Sequence, residues 1–197
     1  VTKLGGALGL ITSGVQLADW FRNSVREGLK LAEQGEGIRI AFERLNNPNL
    51  LANLREETHN TVTDLELMKQ AVKFEDFNLP MEQIGTFLAF AQQKAKDTGE
   101  SIDYMVNSIV TGLGRKSLPI LDNLGLSASE IKERMKDGAD MATAVANIIK
   151  EKMEAAGGYV ETAADRAKQK EVELQNELEN LGRTFQPLTE ASGNFWH

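Results

Sequence analysis

The sequence predicts an all-α fold: a bundle of short amphipathic helices followed by a long C-terminal helix with coiled-coil spacing. Three observations lead there. Apolar residues recur at intervals of three and four through most of the chain, which places them on one face of a helix. No stretch alternates apolar and polar residues for long enough to make a strand. Aromatic residues make up only 6% of the 197, so a core must be filled mainly by Leu, Ile, Val, Met and Ala, which suit helix-on-helix layers.

From Leu4 to about Asn46 the apolar positions fall loosely on helical spacing, with Val15, Ala18, Trp20, Val25, Leu29, Ile38, Ile40, Phe42 and Leu45 available for burial. Gly35 and Gly37 are expected to interrupt this helix. Asn46-Asn47-Pro48-Asn49 should end it and start another, because Asn favours turns and Pro cannot continue a helix. A stripe at Val62, Leu65, Met68 and Val72 then runs to a break near Phe74–Leu79. Pro80 suits a first helical turn, and Ile84, Phe87, Leu88, Ala91 and Ala95 line one face down to Asp97-Thr98-Gly99. Ser101 can cap the next helix, whose Ile102, Met105, Val106, Ile109, Val110 and Leu113 keep strict spacing until Gly112 and Gly114 close it. A short helix from Ser117, with Pro119 near its start, should stop at Gly125. Ser127 and Glu130 have the spacing of a capping box before Ile131 and Met135, with a stop at Gly138. Met141, Val145, Ile148, Ile149 and Met153 predict a further helix ending at Gly157-Gly158.

The last segment has a different texture. Ala164, Ala167, Glu171, Leu174, Leu178, Leu181 and Phe185 alternate three and four apart with charged residues between them, a narrow seam near the 3.5-residue repeat of a coiled coil. The expected organisation is a helical N-terminal segment at 1–74, a bundle at 75–156, the long helix at 157–186 as a rod hinged at Gly157-Gly158, and a polar tail at 187–197. The bundle core should include Ile84, Phe87, Leu88, Ile102, Met105, Val106, Ile109, Ile131, Val145 and Ile148.

Composition narrows the function. A net charge of −7 opposes specific nucleic-acid binding, which needs a surplus of Lys and Arg to neutralise phosphates. The chain has no Cys, so thiolate metal sites and disulfides are excluded. Leu4–Ile11 is apolar, but Thr12, Ser13, Gln16 and Asp19 follow too soon for a membrane span, and a secretory leader is not expected. The first residue is Val rather than Met, consistent with a piece of a longer protein.

Four constellations could carry chemistry, and each has a plainer explanation. Thr111-Gly-Leu-Gly114-Arg-Lys116-Ser117 has the wrong glycine spacing for a phosphate loop and follows no strand; a helix end is expected. Glu56 and His59 form one Glu-x-x-His, but a di-metal bundle site needs two, and the other histidine is His197. Nucleophilic catalysis lacks a second internal His to act as base. Glu100 with Asp103, and Asp137 with Asp140, are better explained as helix-start carboxylates. No catalytic, cofactor-binding or metal residue is assigned, and no cofactor is expected.

Residues 98–130, TGESIDYMVNSIVTGLGRKSLPILDNLGLSASE, resemble a segment of bacteriophage and prophage tail tape-measure proteins, particularly those of Bacteroides-type phages. Residues 161–182, ETAADRAKQKEVELQNELENLG, resemble a helix that recurs later in the same family. With the intervening helix the resemblance covers residues 75 to about 190; residues 1–74 match only in being helical and rich in Gly and Ala. It implies a structural, non-enzymatic role: assembled in the bacterial cytoplasm, housed in the lumen of the virion tail tube, setting tail length, and in contact with copies of itself and with tube and tip proteins. Membrane contact is implied only during ejection. Family members are far longer than this chain, and some carry a peptidoglycan-cleaving domain, for which no residue set is seen here. The rival reading is a helical protein-binding or regulatory module without enzymatic activity, its C-terminal stripe docking on a partner groove. A third, a bundle metalloenzyme, depends on Glu56 and His59.

Overall fold

The computed structural model describes residues 14–136 and 138–192. The apolar opening at 4–11, Asp137 and the end of the tail, 193–197, lie outside the described residues. Helices α1 (Gly14–Glu43), α2 (Leu50–Glu57), α3 (Asp64–Asp76), α4 (Ile84–Thr98), α5 (Ile102–Gly114), α6 (Leu118–Asn123), α7 (Ala128–Lys136), α8 (Met141–Ala155) and α9 (Ala163–Ser192) follow in order, with one 3-10 turn at Met81–Gln83. Among the described residues there is no strand, and no helix is long and apolar enough to cross a membrane. The all-α class is as the sequence predicts.

Helix starts follow the caps legible in the sequence. Ser101 Oγ accepts from the Tyr104 backbone N–H at 3.1 Å, Ser127 Oγ from Glu130 N–H at 3.4 Å, and Asp140 Oδ1 from Thr143 N–H at 3.0 Å. Each bond satisfies a backbone donor that a helix start leaves free. Helices α2 to α8 close around one apolar core that runs from Leu50 and Leu54 through Phe74, Phe87, Leu88, Val106 and Ile109 to Ile131, Val145 and Ile149. Of the expected core residues only Ile102 is half-buried; the others are buried.

Several boundaries and faces differ from expectation. The division at 74/75 does not separate two bodies, because Leu50, Leu54, Val62, Leu67, Ala71 and Phe74 share a core with Ile84 to Ile149. In α3 the residues at Leu65, Met68 and Val72 are only half-buried, while Leu67, Gln70, Ala71 and Phe74 are buried. The helix is covered on two sides, by α1 as well as by the bundle. Nor does α1 break at Gly35 and Gly37. At Gly35 a Cβ would lie 2.6 Å from Arg39 Nη1 and 2.8 Å from Leu65 Cδ1, so this glycine is the slot that admits a buried guanidinium. Gly37 has no neighbour within 4 Å of such an atom and is simply tolerated. Helix α9 likewise continues through Pro187, where the polar tail was expected to begin, as far as Ser192.

The two long helices stand outside the central core. They pair antiparallel: Phe21 near the start of α1 meets the Phe185 ring edge-on at 5.9 Å, and Arg39 near the end of α1 pairs with Glu179. Along α1 the buried positions are Val25, Gly28, Ala32, Gly35 and Arg39, a seam of mostly small residues at 3.5-residue spacing. Contact at the crossing is backbone on backbone. A Cβ on Gly28 would approach Gly182 N to 2.9 Å, and one on Gly182 would approach Leu29 N to 2.5 Å.

The buried seam of α9 is Asp165, Val172, Glu179 and Gly182. Each of these lies one residue beyond an expected seam position (Ala164, Glu171, Leu178 and Leu181), so the seam is turned by about 100°. Glycine at 182 lets α1 approach more closely than any side chain would allow. As a result Ala164, Ala167 and Glu171 are exposed and Leu174 is 48% exposed. The rod after Gly157-Gly158 is therefore laid along α1 and the bundle by a mostly polar face.

Candidate functional site

Because α9 is docked by polar side chains, the space beneath it is a polar cleft. Helix α2 supplies Arg55, the turn at 58–63 supplies Asn60 and Val62, α3 supplies Asp64 at its first turn, and α9 supplies residues from Arg166 to Asn180. The cleft encloses about 650 Å³. A second hollow of about 440 Å³ continues it past His59 and Tyr159 to Glu161, sharing Arg55, Asn60 and Gln169.

Its walls are fixed by a line of contacts that the sequence does not announce. Arg55 grips Asp64 with two parallel bonds, Nε to Oδ1 at 2.7 Å and Nη2 to Oδ2 at 2.5 Å. The hydrogen bond to Asp64 raises the guanidinium pKa further, against the effect of burial. Asn176 Oδ1 accepts from the Asp64 backbone N–H at 3.0 Å, and Gln169 Nε2 donates to the His59 carbonyl at 3.0 Å. At one end, Lys96 Nζ lies 2.9 Å from Asp165 Oδ2, which also accepts from the Thr162 hydroxyl and backbone N–H. Burial opposes ionisation of Asp165, but the bonds from Lys96 and Thr162 outweigh it and hold the carboxyl well below the usual range. At the other end, burial pushes the Glu179 carboxyl up even though the Arg39 guanidinium pulls against it.

The His59 ring stacks on Tyr159 with centroids 3.5 Å apart, and the Lys96 ammonium sits 4.8 Å from the centre of the Tyr159 ring. Burial, followed by the charge of Asp165, pushes the Tyr159 phenol up. This cluster ties the chain just after Gly157-Gly158 to the turn before α3. The two glycines adopt left-handed backbone, φ +86° and +74°, which places the reversal between α8 and α9 here.

Of the residues weighed for chemistry, Glu56 and His59 border the same hollow and the others are dispersed. His59 is packed under Tyr159 while Glu56 is exposed on α2, and among the described residues no three His, Cys, Asp or Glu side chains are grouped to hold a metal ion. In the Thr111–Ser117 segment the backbone donors are taken: Arg115 N–H bonds Thr111 O, Lys116 N–H bonds Leu113 O and Ser117 N–H bonds Gly112 O. A phosphate cradle needs those donors free. Glu100 is exposed, whereas Asp103 is locked between helices by Lys69 Nζ at 3.1 Å and Gln70 Nε2 at 2.8 Å. Burial works to raise Asp103, but contacts with Lys69, Glu66 and Gln70 carry it down to about 2. It is ionised at neutral pH and holds no proton to give. Asp140 is a helix cap, also held below the usual range by the Thr143 N–H.

The guanidinium groups on the cleft are already paired, Arg55 with Asp64 and Arg166 with Glu161, so the cleft offers mainly amide and charged side chains to polar groups. The sequence carried a signal for the docked face of α9, not for the cleft: Asp165, Val172 and Glu179 repeat every seven residues. No family model, curated protein or solved structure matches this chain.

Proposed function

We propose that this chain is a structural, non-enzymatic segment of a bacteriophage tail tape-measure protein, acting by its shape and helix pairing. The observation that carries the reading is what the family-like residues do. In 98–130 they serve packing: a Cβ on Gly112 would meet Leu121 Cδ2 at 2.6 Å, one on Gly114 would meet Phe77 Cε1 at 2.9 Å, and Ser101 caps α5. In 161–182 they build the polar face that docks α9 on Lys96, His59, Asp64 and Arg39. Residues spent on helix geometry suit a scaffold. A 30-residue C-terminal helix that pairs lengthwise with another helix suits a protein that acts beside copies of itself and in contact with tube and tip proteins.

The test is an in-frame deletion of the coding segment in the phage or prophage that carries it. Induced particles should have absent or altered tails by electron microscopy, and peptides of this chain should be present in purified wild-type virions. Normal tails together with virions lacking the chain would overturn the reading. The exposed Leu174 face favours one second reading, a helical protein-binding module without enzymatic activity, and that same outcome would favour it.

A further inference from the structure

Turning the seam of α9 by one residue leaves an apolar strip uncovered, and its flanking charges identify a partner for it. Ala164, Ala167 and Leu174 face away from both α1 and the bundle, and Leu178 and Leu181 are half-buried where α1 crosses. Beside the strip lie Lys170 and Glu177, opposite in charge, seven residues apart on the same side of the helix, and without an ion pair among the described residues. Such a face complements itself when the helix runs against a copy of itself.

We propose that this surface binds a second copy of the chain, α9 against α9, antiparallel about a two-fold axis between Val172 and Glu173. In that register Ala164 faces Leu181 and Ala167 faces Leu178, small against large, while Glu171, ion-paired with Lys168, lies across from Leu174. Lys170 meets Glu177 of the other copy, and by symmetry this happens twice. One operation thus covers Leu174, which is 48% exposed in the single chain, together with Ala164 and Ala167. A parallel pair would stack Glu171 on Glu171 and leave Lys170 and Glu177 without complements; the antiparallel pair avoids both. This pairing gives a geometry to the self-contact in the proposed function and rests on that reading to this extent; the virion and deletion test of that reading is separate from the sedimentation test of the pairing.

Sedimentation equilibrium of the full chain tests it. The expected result is a reversible monomer–dimer equilibrium. Lys170→Glu and Glu177→Lys each turn two attractions into repulsions and should weaken association about tenfold, and the double charge swap should restore it. Because the chain has no cysteine, introduced thiols report the register. Ala164→Cys combined with Leu181→Cys should cross-link copies on oxidation, and Ala164→Cys alone should not. A monomer at every concentration, a double swap as weak as the single variants, or self-linking of Ala164→Cys alone would each overturn the proposal.

Discussion

At the scale of single residues, the interior glycines of the helices divide into two kinds, and the division is measurable. Alanine is favoured over glycine in an exposed helix by about 1 kcal/mol. Gly37 meets nothing, so Gly37→Ala should stabilise the chain by about that amount. Gly182 sits on the backbone of α1, where an added Cβ cannot be relieved by moving a side chain, so Gly182→Ala should destabilise by about 1 to 3 kcal/mol. Urea midpoints of the two variants on opposite sides of wild type are expected; a shift in the same direction for both would refute the crossing geometry. The core gives a simpler contrast. Ile109 is 1% exposed, and Ile109→Ala should cost about 2 to 5 kcal/mol. Leu174→Ala should change the stability of the dilute chain by less than about 0.5 kcal/mol.

Charge adds a pH dependence with a definite sign. Asp103 and Asp165 are held below the ordinary carboxylate range, so the stability they contribute is present above about pH 4 and is lost as pH falls through their folded values, about 2 for Asp103. Glu179 acts in the opposite sense: burial raises it, so its protonation on mild acidification favours the folded chain. Thermal midpoints should therefore fall steeply only below about pH 4, and Asp103→Asn should flatten the fall. A steep loss already between about pH 6 and about pH 5 would contradict these assignments.

At the scale of elements, legibility followed the strength of the local signal. Helices α5, α7 and α8 could be read because a capping side chain, a nearby glycine and an apolar stripe agree: Ser101, Ser127 and Asp140 start them, and strictly spaced residues such as Met105, Val106 and Ile109 are buried. The two long helices were misread for one physical reason. Apolar periodicity finds the face that buries side chains, and the α1–α9 crossing buries backbone. Gly28 and Gly182, which no apolar stripe marks, are the contact surface, and the apolar stripe of α9 was set aside in favour of the polar positions next to it. The candidate cleft was illegible on the same account, because Asn176, Gln169, Arg55 and Asp64 are joined by hydrogen bonds between distant parts of the chain that no spacing rule reveals. An element docked this way depends on each bond. Asn176→Ala would remove the partner of the Asp64 N–H and should cost about 1 kcal/mol, read as a lower urea midpoint.

At the scale of the whole molecule, the chain has a dense apolar body, α2 to α8, against which a pair of long helices is held. None of Val25, Ala32 or Val172, the buried apolar side chains of that pair, belongs to the central core; Phe42 and Leu45, at the end of α1 and just beyond it, pack on it from outside. Apolar burial is therefore concentrated in the body, while the pair depends on a close glycine crossing, the Arg39–Glu179 ion pair and the polar latch from Lys96 to Asn176. Stability distributed in this way allows the pair to open before the body does. Such an arm can lie on its own bundle or be given over to a neighbouring copy, as an assembling scaffold requires. Native-state hydrogen exchange read by mass spectrometry, on wild type and on Gly182→Ala, tests this most directly. The expected result is that amides of α9 and the first half of α1 exchange together, at a lower opening free energy than those of α4, α5 and α8, and that Gly182→Ala speeds the pair while leaving the body unchanged. Exchange of α9 at the same free energy as α5, with Gly182→Ala accelerating both equally, would contradict a two-part molecule.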